Sequence, residues 1–155
     1  MKLLSLIFSF FITINPSIFI KGKDFSGYIF EENHFVLMSI DNQDKRYTPT
    51  KEDIFLAEEI IKKDIFCVNK KLINQLKGYP QIHKKLKNYV RQYVGFLNKS
   101  NEKVIWINFI WKNRFTDKEY SNDIINVHDG GSYYWSIQIN LTTKSASNLK
   151  VNGIG

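Results

Sequence analysis

From Tyr133 to Leu141 every second residue is large and apolar: Tyr133, Trp135, Ile137, Ile139 and Leu141. Tyr134, Ser136, Gln138 and Asn140 fill the alternate positions. A period of two sorts residues onto the two faces of a β-strand, whereas a helix would scatter these apolar side chains around its circumference. Lys103–Trp111 repeats the pattern through Ile105, Ile107, Phe109 and Trp111. The polar turn 98–101 joins it to Tyr89–Leu97, where Val90, Val94 and Phe96 oppose Tyr89, Tyr93 and Leu97. After a second polar turn at 142–145, Leu149 and Val151 alternate with Asn148, Lys150 and Asn152. Strands in sequence with short polar turns between them read as an antiparallel meander. Residues 112–123 form its longest polar connection, and 124–127 reads as a further short strand.

Upstream the period changes. Thr50 is a good N-cap, Asp53 three residues on completes a capping-box pattern, and Pro49 fixes an extended approach. Ile54, Ala57, Ile61 and Ile65 then recur at helical spacing, widened by Leu56 and Ile60, which predicts a helix over about 50–64. Glu58, Glu59, Lys62 and Lys63 are expected on its solvent side. A second helix is expected from Asn69 as cap through Leu72, Ile73 and Leu76 to Gly78, followed by a turn from Pro80 carrying Ile82 and Leu86. Residues 27–30 and 34–40 read either as two short strands or as a flexible lead-in. With 155 residues there is room for one domain with a substantial core. The fold class is therefore α+β: N-terminal helices packed on an antiparallel meander sheet of four strands or slightly more. The expected organisation is a leader over 1–22, an irregular or short-strand lead-in over 23–46, and a single domain over 47–155.

The leader rests on Met1-Lys2, a positive start, and on an apolar run from Leu3 to Ile14 that breaks at Asn15-Pro16-Ser17. That run is too short to span a bilayer and suits a secretory signal, with Ile20 and Gly22 three and one residues before the cut. An uncleaved anchor is the alternative, since Phe19 and Ile20 extend the apolar stretch. Export to the periplasm or medium is expected, with no membrane span left after cleavage. Cys67 is the single cysteine, so no internal disulfide can form; its apolar neighbours suggest a small buried hydrophobe. The formal charge of +7 drops by two when Lys2 and Lys21 leave with the leader. Lys70, Lys71, Lys77, Lys84, Lys85 and Lys87 follow one another with no acid between them. The residue for phosphate and base recognition is usually arginine. Only Arg46, Arg91 and Arg114 are present, so nucleic acid is not the expected partner and the lysines read as a solvated face.

The most suggestive polar run is His128-Asp-Gly-Gly131. Glycines that cradle phosphate open a helix, and these open a strand, so the run reads as a turn. His34, His83 and His128 lie far apart, without a His-x-x-x-His or Cys pair, so no metal or cofactor is expected. No Gly-x-Ser-x-Gly elbow is present and no catalytic residue is assigned. The remaining candidates stand out of phase with the oily side of the sheet: Trp106, Asn108, Tyr134, Gln138 and Asn140. On an open face this set of aromatics and amides suits recognition of protein or sugar; cross-strand pairing that only stiffens the sheet explains it as well.

Four blocks carry a resemblance: Tyr89-Val-Arg-Gln-Tyr-Val-Gly95, Ile107-Asn-Phe109, Asp129-Gly-Gly-Ser-Tyr-Tyr-Trp135 and Leu149-Lys-Val-Asn-Gly153. Together they resemble small secreted proteins of Bacteroidetes, over roughly 46–155. Those proteins show a Tyr-x-Arg-Gln-Tyr block, an Asp-Gly-Gly-x-Tyr/Phe-Trp block and an Asn-Gly-x-Ala-like tail. The Ile154-Gly155 ending departs from that alanine, and no activity or catalytic residue comes with the resemblance. A helix before an antiparallel meander also resembles the cystatin-like folds, by analogy of architecture alone; the Gln-x-Val-x-Gly loop of cystatin inhibitors is missing. The expected function is that of an exported, non-enzymatic domain that binds a macromolecular partner, inhibitor- or immunity-like, through its open sheet face or the 112–123 loop. The alternative is a small exported glycan-binding protein or hydrolase with His128, Asp129 and Trp106 near one pocket.

Overall fold

A computed structural model describes residues 17–36 and 43–155. In chain order the elements are β1 (Ile18–Lys21), β2 (Ser26–Phe30), β3 (Arg46–Tyr47), α1 (Lys51–Val68), β4 (Tyr89–Leu97), β5 (Lys103–Trp111), α2 (Asp117–Asn122), β6 (Tyr134–Asn140) and β7 (Ser145–Val151). Short 3-10 turns add Gln43–Lys45, Ile82–Lys84, Leu86–Asn88 and Gly131–Tyr133.

The strands form one sheet in the order β1-β2-β4-β5-β6-β7, with β3 prolonging the edge of β4 beside which β2 lies. The β4–β7 pairs are the antiparallel meander expected from the period-two runs, and β2 alongside β4 is the parallel exception. The sheet is therefore larger than four strands, because residues before the helix join it. The segment 34–36 stays outside the strands, and the rest of the expected strand over 34–40 lies outside the described residues.

Helix α1 starts where the capping signature places it. The Thr50 hydroxyl accepts from the Asp53 N–H, and the Asp53 carboxylate accepts from the Thr50 N–H, both at 3.2 Å. The helix continues to Val68, past the expected end near 64. It lays Ile54, Ala57, Ile61 and Ile65 onto the sheet face formed by Tyr89, Tyr93, Ile105, Ile107, Phe109, Trp135, Ile137 and Ile139. Trp135 stacks on Phe109 with 3.7 Å between ring centres, a pairing worth about 0.5–1.5 kcal/mol beyond its buried area.

Three expectations fail locally. Glu58 is buried at 2% exposure instead of facing solvent with Glu59. It stands four residues after Ile54 and three before Ile61, on the apolar stripe, and has an internal partner described below. The second helix does not form. Asn69 caps the end of α1, its N–H donating to Ile65 and Cys67 carbonyls, and Leu72 (φ 48°) and Asn74 (φ 54°) are left-handed, which no helix accommodates. Cys67 lies exposed on the outer side of the last helical turn. Among the described residues, no helix is long and apolar enough to cross a membrane.

Candidate functional site

The five candidates do share the sheet face opposite α1, as their phase requires, but that face is only partly open. Trp106 and Asn108 are 6% and 8% exposed, whereas Tyr134, Gln138 and Asn140 are half-buried. The cover is the 112–127 connection. Thr116 caps α2 in a second capping box with Glu119, and α2 presents Tyr120 to the sheet. Tyr120, with Phe115, Ile124 and Ile125, packs over Tyr28, Phe30, Val94, Trp106 and Ile110. A second, smaller core results, with Trp106 inside it.

Asn108 has a structural task there. Its amide donates to the Gln92 side-chain oxygen at 3.1 Å and to the Ile125 carbonyl at 2.8 Å. Gln92, fully buried, donates to the Tyr120 and Asp123 carbonyls, both at 2.8 Å, and accepts from the Ile125 N–H at 2.9 Å. Two side-chain amides thus take over the backbone groups of 120–125. For this reason the expected strand at 124–127 does not appear: part of its backbone is satisfied by side chains instead of a ladder.

The uncovered end of the same face holds Gln138 and Asn140. With Asn98, Lys99, Ser100, Ser147 and Asn148 they line an open depression of about 360 Å³, floored by Phe96 and Val104. Glu102 organises it. Its carboxylate accepts from Asn98 at 2.8 Å and Asn140 at 2.7 Å. Hydrogen bonds from Asn98 and then Asn140 hold that carboxyl below the usual glutamate range. Asn98 in turn accepts from the Ser100 and Glu102 N–H groups, closing the 98–101 turn. Gln138 accepts from the Asn148 amide at 2.7 Å, which leaves the Gln138 donors for a further group. Asn148 is itself left-handed (φ 52°), where β7 slips register against β6. A bulged edge strand of this kind discourages pairing with another sheet and shapes the rim of the depression.

His128 and Asp129 are both exposed and sit in the turn that the glycines predict. Gly130 (φ 95°) and Gly131 (φ 53°) reverse the chain, and the Gly131 N–H donates to the Gly153 carbonyl at 2.8 Å. Asn152 fastens the turn from the C-terminal side through the Val127 and Asp129 carbonyls. Trp106, buried under the 112–127 cover, is not exposed in a pocket with them. Among the described residues, no group of three or more His, Cys, Asp or Glu is placed to hold a metal ion.

One polar cluster escaped the sequence reading. Arg91, 1% exposed, donates from Nε and one terminal nitrogen to the two Glu58 carboxylate oxygens at 3.1 and 3.3 Å. Tyr93 OH donates to Glu58 at 2.9 Å, and the other Arg91 nitrogen donates to the Tyr89 carbonyl at 2.7 Å. Burial, reinforced by the Glu58 charge, pushes the Tyr93 phenol well up, so it remains a neutral donor. The guanidinium also lies over the Phe109 ring at 5.1 Å. The signal was available: Arg91 falls in phase with Tyr89 and Tyr93 on the helix-facing side of β4, and an inward arginine demands an acid. Every member is enclosed and partnered, so the cluster braces the core and offers no binding site. Comparison with known proteins returns no matching family model, no similar curated protein and no similar solved structure.

Proposed function

We propose that this chain is an exported, non-enzymatic domain that binds a macromolecular partner in the manner of an inhibitor or immunity protein. The observation that carries the reading is the amide-lined depression at the uncovered end of the sheet. Glu102 holds both its turn and Asn140 in place, so little side-chain freedom has to be lost on binding. Gln138 and Asn148 line it as adaptable donors and acceptors. The outer side of 117–119, exposed beyond the cover, extends the same face and supports the 112–123 loop as a second contact. The apolar N-terminal run supports export. The four sequence blocks support kinship with small secreted Bacteroidetes proteins, and one long helix against an antiparallel meander supports the cystatin-like analogy.

A photo-crosslinking residue at Gln138 or Lys118 tests the reading in the envelope fraction of an expressing cell, with Glu59 on the opposite surface as control. One discrete adduct from Gln138 and Lys118, absent from Glu59, is expected. No adduct, or the same pattern from all three positions, overturns it.

A further inference from the structure

The last turn of α1 and the segment between α1 and β4 turn apolar side chains outward. Phe66, Ile73 and Leu76 are 67%, 57% and 63% exposed, and Leu72 is exposed beside them. They belong to one corner. Phe66 meets the His83 ring edge-on at 5.4 Å, and Asn69 hydrogen-bonds His83. Ile73 and Leu72 border the seam between α1 and β7 at Val68 and Leu149, and Leu76 shares a depression with Lys77, Lys84 and Lys85.

This exposure is built in. Asn69 and Gln75 exchange two buried amide hydrogen bonds, at 3.0 and 2.6 Å, and the Gln75 oxygen also accepts from the Ile82 N–H. Asn74 donates to the Asn152 carbonyl at 2.7 Å. The loop is thereby tied at its base to both neighbouring elements. Leu72, held at a φ that leucine rarely adopts, points away from the core.

The charge on the segment that follows Phe66 has one sign. Lys70, Lys71, Lys77, Lys84, Lys85 and Lys87 are all exposed, and no Asp or Glu occurs between Asp64 and Glu102. The adjoining acid is Asp64, two residues before Phe66 in α1, whose carboxylate accepts from the Ala146 N–H and lies 3.4 Å from the Lys63 ammonium. Protein interfaces favour Tyr, Trp and Arg and are depleted in Lys. Aliphatic residues and phenylalanine ringed by lysine suit an anionic bilayer, where the stems snorkel and the ammonium groups meet lipid phosphates.

We propose that this corner is a docking surface for an anionic phospholipid bilayer. Phe66, Ile73 and Leu76 enter the interfacial layer, and the surrounding lysines hold the headgroups. The proposal is independent of the amide depression.

Cys67, the exposed single cysteine beside Phe66, carries the probe: an environment-sensitive fluorophore on the full chain. Phosphatidylcholine vesicles containing phosphatidylglycerol are expected to shift its emission to the blue, and high salt to reverse the shift. Ile73→Ser and Leu76→Ser each lower partitioning about tenfold. Lys77→Gln and Lys84→Gln each lower it about fivefold. All four positions are solvent-facing, so melting curves are expected to remain unchanged. Three results overturn the proposal: no response to anionic vesicles; an equal response to pure phosphatidylcholine, which residues 3–14 alone would give; or a response to soluble polyglutamate in place of vesicles, which would indicate an acidic protein.

Discussion

Glu58 and Arg91 meet inside the main core, 33 residues apart in sequence, in a two-pronged ion pair between helix and sheet. Tyr93 and the Tyr89 carbonyl take up further hydrogen-bonding capacity, so neither charge is left bare. A buried pair is weak evidence for stability in itself, because desolvation offsets the attraction, but it is expensive to break. It also fixes register. Sliding α1 by one residue would carry Glu58 away from the guanidinium.

Removing one partner should therefore cost more than removing both. Arg91→Met or Glu58→Ala is expected to destabilise by about 3–5 kcal/mol in chemical denaturation. Glu58→Leu with Arg91→Met should cost less than either single change. Simple additivity would show the pair to be uncoupled.

The cover over Trp106 depends on two amides. Asn108→Ala or Gln92→Ala leaves backbone groups of 120–125 unpaired, at about 1–3 kcal/mol each. Amide hydrogen exchange should accelerate at Ile125 before the main sheet opens, and proteases should cut within 112–127. Unchanged protection at Ile125 would show that apolar packing alone holds the cover.

The glycine pair makes a sharper claim than turn propensity. At Gly131 a Cβ would sit 2.7 Å from the Tyr79 ring and 3.0 Å from the Asn74 carbonyl, at φ 53°. Gly131→Ala is expected to lower stability by about 1–3 kcal/mol. Gly78→Ala, also at positive φ (98°) but with open space around its Cβ, should cost less. Equal losses in thermal melts would assign the effect to φ alone.

Alkaline stability follows from the buried phenols. Burial raises both Tyr89 and Tyr93, with the Glu58 charge adding at Tyr93. The folded state then keeps protons that the unfolded chain releases near pH 10, so this stability is intact below that pH and falls as pH rises beyond it. Denaturation midpoints should hold level up to about pH 10 and then decline. Tyr93→Phe should weaken the decline while lowering stability at neutral pH. A decline of unchanged steepness in that variant would exclude Tyr93 as its source.

The position of β1 bears on where a leader could end. Ile20 is 7% exposed in the main core, β1 pairs with β2, and the Ser17 hydroxyl donates to the Ser121 carbonyl at 2.7 Å. The cut after Gly22 suggested by its small side chain would remove this strand. If the leader is cleaved, the mature chain is expected to begin at or before Ser17, and intact mass with N-terminal sequencing of the protein recovered from an expressing cell checks it. A mature chain starting at Lys23 would mean that the domain folds without β1.

The sequence by itself determined what depends on local geometry. Period-two runs placed β4 to β6, the Thr50–Asp53 signature started α1, and the glycine pair marked its turn, because phase, capping and positive φ are properties of neighbouring residues. Phase even put Trp106, Asn108, Tyr134, Gln138 and Asn140 on one face. Whether that face met water was decided by tertiary structure, since a polar-looking connection carried Phe115, Tyr120, Ile124 and Ile125 back over it. The same holds for Glu58, whose charge reads as solvated until Arg91 arrives from another element, and for Asn69, which closes α1 and pairs with Gln75 instead of opening a second helix. Burial of a polar group depends on a partner distant in sequence, and no local pattern encodes that distance.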